Sequence, residues 1–340
     1  MGYKRVVITE FGGPEVLKLV EETKLPEPKP GEVRVKVLVT SAAFTDVMIR
    51  KGQYPDVKEK PPFSPGYDMV GEVDKLGEGV THTKVGQRVA DLTVTGAYSE
   101  YLCLPESRLT TVPEGLDPAE AVSLVLSYVT AHQMLHRVAK IKPGQRILIT
   151  GAGGAVGTAM LQLGKLLDLE MYGTASKSKH DLIKQLGATP IDYQSEDIAA
   201  SIHRLTPDGV DVAFDGVGGR SFKKSFSSLR RGGKLVAYGF SNVVLGKGGS
   251  IPLGFMRVLL WNLLPNGRST AFYSIGSLRK QHPDWFKEDL TQLLNLLAQN
   301  KIKPIIANRM PLAEARHAHE LVERAEVQGK IVLNVSEAST

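Results

Sequence analysis

Cysteine is almost absent: the 340 residues hold one, Cys103. A lone thiol forms no intramolecular disulfide, which excludes a disulfide-stapled secreted scaffold and any zinc site built on two or more thiolates. Long apolar runs are missing too. The nearest, Phe255–Leu264, is interrupted by Arg257 and Asn262 and falls short of the ~20 residues that span a bilayer. The opening MGYKRVV has no apolar core of signal-peptide length. Val6 breaks the N-myristoylation pattern, and the closing EAST is no prenylation box. Charge of one sign is scarce as well: 42 Lys+Arg against 36 Asp+Glu leave +6, which permits a phosphorylated ligand but does not mark a nucleic-acid binder. A cytoplasmic protein is expected. With 42% hydrophobic and 23% charged residues the composition is that of a folded chain, and the length predicts roughly two domains of ~100–200 residues.

The first 125 residues read as β-rich. Val-rich runs at Val33–Val39, Val70–Val73 and Arg88–Ala90 lie between Gly and Pro punctuation, with Pro26, Pro28, Pro30 and Pro61, Pro62, Pro65 marking extended connectors. The texture changes near Ala119. Ala119–Val138 predicts a helix broken around Ser127–Thr130. Strand and helix then alternate: strand Arg146–Thr150, helix Val156–Leu167, strand Glu170–Thr174, helix His180–Leu186, strand Pro190–Asp192, helix Ile198–Leu205, strand Val210–Asp215, helix Phe222–Leu229, strand Lys234–Gly239. That rhythm predicts a parallel sheet covered on both faces, an α/β doubly wound domain. Helices at Trp285–Gln299 and Leu312–Arg324 and a strand at Lys330–Val335 follow.

The strongest local signal is ILITGAGGAVG at Ile147–Gly157. An apolar strand runs into Gly151, Gly153, Gly154 and Gly157, and a helix begins through Ala155 and Val156. Glycine allows a tight turn and close approach to a pyrophosphate, while the helix N-terminus offers N–H groups and a favourable dipole. The spacing is Gly151-x-x-Gly154-x-x-Gly157, because Val156 stands where the commoner spacing has its third glycine. An NAD site usually ends its second strand with a carboxylate. Here that strand runs into Ser176, Lys177 and Lys179. Hydroxyls and lysines suit the 2′-phosphate of NADPH, against the plainer possibility of a serine-capped helix start.

Phe44-Thr45-Asp46 with Arg50, Gly52-Gln53-Tyr54-Pro55, Pro65-Gly66-Tyr67-Asp68, Gly96-Ala97-Tyr98-Ser99-Glu100-Tyr101 and the glycine turn align together over nearly the whole chain. In these motifs the chain resembles the medium-chain dehydrogenase/reductase superfamily, in its zinc-free quinone oxidoreductase branch with zeta-crystallin and the synaptic-vesicle amine-transport relatives. The resemblance implies a GroES-like β-rich catalytic domain (1–126), a Rossmann NADPH-binding domain (127–277) and a C-terminal return to the catalytic domain (278–340). It also implies dimerisation through the Rossmann sheet edge, hence a homodimer. The implied reaction is zinc-independent transfer of hydride from NADPH to quinones or α,β-unsaturated carbonyls.

Residue by residue, the resemblance places Ala43, Tyr67 and Leu126 where zinc relatives have their ligands, and none of these is a plausible ligand. His317 and His319 read as solvated. Tyr54 matches a tyrosine that donates a proton in related enoyl-thioester reductases; its other reading is a rim residue of a Tyr-Pro turn. Ala43 replaces the Asn of most quinone reductases, which shifts the load to Tyr54, Thr45 or backbone donors. Asp46 reads as a loop organiser ahead of a proton carrier. Phe44, Thr130, Tyr193, Gly216, Val217, Gly239, Phe240 and Ser241 carry over as cofactor contacts. Lys330 reads either as approaching the cofactor or as a surface ion pair.

Two segments stay open. The connector Asn242–Gly267, with its apolar core Phe255–Leu264, fits a pocket lid, a dimer interface or a peripheral membrane contact. The basic residues Lys223, Lys224, Arg230, Arg231 and Lys234 read as a solvated face, since Phe222 and Phe226 are core-like and no aromatics remain for base stacking. The alternative to an enzyme is a nucleotide-binding protein of low turnover acting through membrane, lipid or RNA contacts.

Overall fold

The structure, a computed structural model, describes residues 2–335, so the closing EAST lies outside the described residues. By its contacts the chain divides into two units. One comprises the residues up to Val129 together with those from Asp284 onward; the other is Thr130–Pro283.

The spine of the first unit is the strand Glu32–Ala42. Val33, Val35 and Val37 are fully buried on alternate positions, the period-two pattern of a strand over a core. It pairs antiparallel with Met69–Leu76, with Tyr101–Pro105 and with Lys330–Asn334, which arrives from the far end of the chain. Arg34 is buried on this strand because Asp74 grips its guanidinium through two contacts of 2.9 Å. A separate hairpin, Tyr3–Ile8 with Leu17–Glu22, joins through Val6 N–H to Tyr98 O and Ile8 N–H to Phe63 O. The strand Ile306–Pro311, parallel to Lys330–Asn334, was not foreseen from the sequence: Ala307, Asn308 and Arg309 are exposed and give no apolar alternation.

The second unit is a six-stranded parallel sheet. Its order is Thr189–Asp192, Glu170–Ala175, Arg146–Thr150, Val210–Asp215, Leu229–Ala237, Ser269–Phe272. The first strand in sequence therefore lies inside the sheet, and successive strands add outward on both sides: the doubly wound arrangement, whose ligand crevice lies where the direction reverses. Ile147, Leu148 and Ile149 are fully buried, as strands covered on both faces require. The expected helices and strands of this alternation are present with ends shifted by a few residues. The fifth strand begins early, at Leu229, and its register jumps across Gly232 and Gly233 to Lys234.

Two expectations change and a third holds in part. The helix expected to break at Ser127–Thr130 runs on: α-turns at Pro118–Ser123 and Val129–Gln133 are linked and extended by wider π-turns at Leu124–Tyr128 and Met134–Ala139. No Gly or Pro interrupts it, and widening keeps the backbone bonded while Leu124, Val125 and Val129 stay buried. The connector after the fifth strand holds a helix, Ile251–Trp261, and then the edge strand Ser269–Phe272. That helix packs through Gly254 and Val258; a Cβ on Gly254 would lie 3.0 Å from the Phe240 ring. As for the basic residues, Arg230 pairs with Asp211 and Lys234 donates to the Val138 carbonyl, while Phe222 and Phe226 are core.

Asp215 ties the fourth strand to the next helix. Fully buried, it accepts from Val217 N–H (2.9 Å), Gly218 N–H (3.1 Å), Ser221 Oγ (2.7 Å) and Ser225 Oγ (2.6 Å). Asp215→Ala is expected to leave these donors unmet and cost about 3 kcal/mol, read as a lower urea midpoint at unchanged m-value. A midpoint equal to wild type would remove Asp215 from this role.

Candidate active site

In the second unit the strand Arg146–Thr150 turns at Gly151 (φ +66°), and Gly154 begins the helix Ala155–Lys165 without a side-chain cap. The first-turn N–H groups of Ala155, Val156 and Gly157 thus stand at an uncapped, positive helix end. Gly157 must be glycine, since a Cβ there would stand 2.5 Å from the Gly151 carbonyl oxygen. Gly173, on the neighbouring strand, has the same kind of role and was missed: its Cβ would lie 2.7 Å from that of Ala152.

The basic residues expected beside this turn divide. The Lys179 stem lies along it, so that a Cβ on Gly153 would meet Lys179 Cδ at 2.7 Å. Burial pulls the Lys179 ammonium below its usual range. Lys177 is exposed, and Ser176 Oγ meets Ser178 Oγ at 3.2 Å. An uncapped helix end, a glycine cradle and a half-buried lysine fit a phosphorylated dinucleotide.

At the reversal of the sheet, Gly216 N–H donates to Thr150 Oγ1 (3.2 Å) and Ser241 N–H to Gly216 O (3.3 Å). A Cβ on Gly239 would stand 2.5 Å from Gly216 O, so Gly216, Val217, Gly239 and Ser241 form one close-packed rim. Phe240 instead joins a ring cluster with Phe222, Phe255 and Phe272. Tyr193 is half exposed after the outermost strand, and Thr130 is buried in its helix.

The first unit gathers the other expected residues. Helix Phe44–Arg50 carries Phe44, Thr45 and Asp46. Asp46 is fully buried; it accepts from Ala43 N–H (2.9 Å) at the helix start and from Gly66 N–H (3.2 Å) across the unit. Burial, reinforced by the charge of Asp68, pushes its carboxyl up to about 7. Thr45 Oγ1 is buried with no hydrogen-bond partner, as is the Tyr128 hydroxyl. Each such orphan costs about 1–3 kcal/mol. Tyr128 was missed; its one sequence signal is a phenol inside an apolar helix, two residues before Thr130. Tyr54 follows the helix, and its Oη lies 2.5 Å from Tyr67 Oη.

Two expectations are corrected here. Lys330 forms no surface pair. It is buried, its ammonium 3.3 Å from Asp68 Oδ2 and 3.5 Å from Ser127 Oγ, and Asp68 also accepts from Ser41 Oγ. His319 is not solvated, although His317 is. The helix Ala315–Arg324 turns His319 inward between Arg50 and Tyr98. Arginine only donates, so Nδ1 accepts from Arg50 (3.2 Å), Nε2 carries the proton toward Tyr98 Oη (3.1 Å), and Tyr98 donates to Ser41 O (3.3 Å). Burial and the Arg50 charge push His319 down to about 3.

These two groups pull stability in opposite directions with pH. Folded Asp46 keeps a proton that the unfolded chain releases above about pH 4, so its contribution falls as pH rises toward 7. Folded His319 refuses a proton that the unfolded chain takes below about 6.5, so its contribution rises with pH from about 3 to 6.5. Urea unfolding between about pH 4.5 and 6.5 separates them. Asp46→Asn is expected to make the stability-against-pH slope more positive and His319→Gln more negative, each by at most about 1.4 kcal/mol per pH unit. Slopes that match wild type would remove both assignments.

Comparison with known proteins gives a consistent result. The family described as zinc-binding dehydrogenase matches residues 186–333, and the alcohol dehydrogenase GroES-like domain matches residues 29–114. The synaptic vesicle membrane protein VAT-1 homolog of Danio rerio is 32% identical over 97% of this chain and 70% of its own length. The Escherichia coli quinone oxidoreductase complexed with NADPH superposes with a TM-score of 0.87 at 28% identity, covering 98% of this chain and 100% of that one. The human VAT-1 homolog-like protein gives 0.85 at 28% identity, covering 99% of each chain. A GroES-like sheet unit, a parallel-sheet Rossmann unit and these full-length likenesses agree: the chain belongs to the medium-chain dehydrogenase/reductase superfamily, in its quinone oxidoreductase and VAT-1 branch.

Proposed function

We propose that this chain is an NADPH-dependent, zinc-independent reductase of quinones or α,β-unsaturated carbonyls. The observation that carries the cofactor reading is Lys179 laid along the glycine turn, after a second strand that ends without the carboxylate of an NAD site. Gly151, Gly154, Ala155, Val156 and Gly157 would hold the pyrophosphate; Ser176, Lys177 and Lys179 would hold the 2′-phosphate. Tyr193 would lie by the adenosine, with Phe44, Thr130, Gly216, Val217, Gly239, Phe240, Ser241 and Lys330 as further contacts. The NADPH-bound E. coli relative supports this reading.

Zinc independence is supported by the donor set. Ala43 has no ligand atom, the Tyr67 hydroxyl is bonded to Tyr54, and among the described residues no three His, Cys, Asp or Glu side chains gather as metal ligands. When bound, NADPH supplies hydride to an electrophilic carbon. Negative charge then develops on the substrate oxygen and needs a donor. Burial pushes the Tyr54 phenol up to about 12, so it stays protonated at neutral pH and available to give that proton. Thr45 Oγ1, buried without a partner, serves as the second donor. Asp46 organises the loop.

A second reading rests on the helix Ile251–Trp261 and the residues just after it. Met256, Leu259, Leu260 and Leu263 are each more than half exposed. Such a face suits a peripheral membrane contact, although among the described residues no helix is long and apolar enough to cross a membrane. The adjoining edge strand Ser269–Phe272 is where we place homodimer pairing.

Three measurements test these readings. NADPH oxidation over quinones, alkenals and enoyl thioesters should find a substrate, with Tyr54→Phe lowering kcat at least about 100-fold. Lys179→Ala should weaken NADPH about tenfold and leave NADH unchanged; equal efficiency with both cofactors in the wild type would reject the 2′-phosphate site. Binding of NADPH with no oxidation across the panel, together with co-sedimentation on anionic liposomes, would favour the second reading.

A further inference from the structure

We propose that Tyr67 is a positioning residue for Tyr54: its buried phenol donates to the Tyr54 oxygen, aims the Tyr54 proton outward and steadies the phenolate that forms when that proton leaves. The inference rests on the reading of Tyr54 as the proton donor.

Three observations lead there. The two hydroxyl oxygens are 2.5 Å apart, and the rings meet edge to face with centroids 5.5 Å apart at 85°. Each phenol has one proton, and the single contact between them uses one of the two. Tyr67 is wholly closed to solvent while Tyr54 is only part-buried, so of the two phenols Tyr54 alone presents surface to an incoming molecule. The arrangement that leaves a proton on the reachable side has Tyr67 donating and Tyr54 accepting.

The backbone around Tyr67 is built to hold it still. On one side Gly66, at φ +112°, donates to Asp46 Oδ1 and accepts from Thr93 Oγ1 (2.7 Å). A Cβ on Gly66 would lie 2.5 Å from Tyr98 N, so no other residue fits. On the other side the Asp68 carbonyl accepts from Thr40 Oγ1 (2.6 Å), and its carboxylate from Ser41 and Lys330. The Tyr67 carbonyl accepts from Val94 N–H (3.2 Å). Tyr54, in contrast, sits in a turn after helix Phe44–Arg50, secured by Gly52 N–H to Ile49 O and Gln53 N–H to Met48 O. A fixed phenol thus sets the place of a less fixed one.

In the step itself the Tyr54 O–H bond breaks, and its proton goes to the substrate oxygen as the hydride from NADPH forms the new C–H bond. The substrate is reduced and the nicotinamide oxidised. The O–H electron pair remains on Tyr54, where the Tyr67 hydrogen bond stabilises it; water returns the proton when product leaves. A donated hydrogen bond favours the charged form of its acceptor, so Tyr67 lowers the phenol it touches against the opposing effect of burial.

The test uses the whole chain without cofactor, then with it. A fluorotyrosine at position 54 is titrated by fluorine NMR in the wild-type background and in Tyr67→Phe. We expect the variant to raise the apparent pKa at position 54 by about one unit. With NADPH and an accepted substrate, Tyr67→Phe should lower kcat about tenfold with KM and NADPH affinity within about twofold, because only transition-state charge is affected. An unchanged titration overturns the proposal whatever the turnover. Full turnover in Tyr54→Phe overturns the donor reading and the catalytic part of the proposal with it, and is recognised as such because the titration still shifts.

Discussion

One buried carboxylate organises the sheet unit. Asp46 accepts from the N–H that opens helix Phe44–Arg50 and from the N–H that precedes Tyr67, so two distant stretches of chain share a single anchor. Thr45 lies beside it, Arg50 ends the same helix, and Tyr54 and Tyr67 leave from the two tethered segments. Burial, and after it the charge of Asp68, makes that anchor costly to ionise, while the backbone donors and Lys330 favour the charge. Around it several other buried polar groups are paired in series: Lys330 with Asp68, Asp68 with Ser41, Arg50 with His319 and Glu323, His319 with Tyr98. The unit thus keeps these polar groups inside and meets their needs locally, while Thr45 Oγ1 and the Tyr128 hydroxyl stay unpartnered.

The Rossmann unit solves its problem by omission. Its critical contacts are carbonyl oxygens and Cβ atoms brought to places that any side chain would occupy, at Gly157, Gly173 and Gly239. The close approaches draw three strand ends and one helix start into a single rim and leave backbone N–H groups facing outward. One unit holds its candidate residues by filling space with charge, the other by leaving space empty.

Much of this was legible in the sequence where a period or a glycine carried it. The alternation of strands and helices, the turn at Gly151–Gly157 and the lysines after the second strand all show in residue spacing alone. Other features depend on partners far away in sequence. His319 has the look of a surface residue, two positions from the exposed His317, until Arg50 and Tyr98 are known to stand opposite it. Lys330 likewise shows its charge but not the Asp68 that buries it. The strand Ile306–Pro311 joins its sheet through backbone bonds that exposed polar side chains do not advertise. Tyr67 is visible in the sequence as a residue that is not a zinc ligand; what it touches is set by the fold.

The strand Lys330–Asn334 has a consequence for how the protein is made. It covers the Val39–Ala42 edge of the spine strand, nearly 300 residues earlier in the chain. During synthesis that edge has no partner until Lys330–Asn334 leaves the ribosome, whereas Thr130–Pro283 is contiguous and has all its strands in hand well before. The Rossmann unit is therefore ready to fold while the chain is still growing, and the sheet unit waits for its returning strand. In that interval its open strand edge is the part of the molecule most exposed to mispairing, and the place where a chaperone has most to protect.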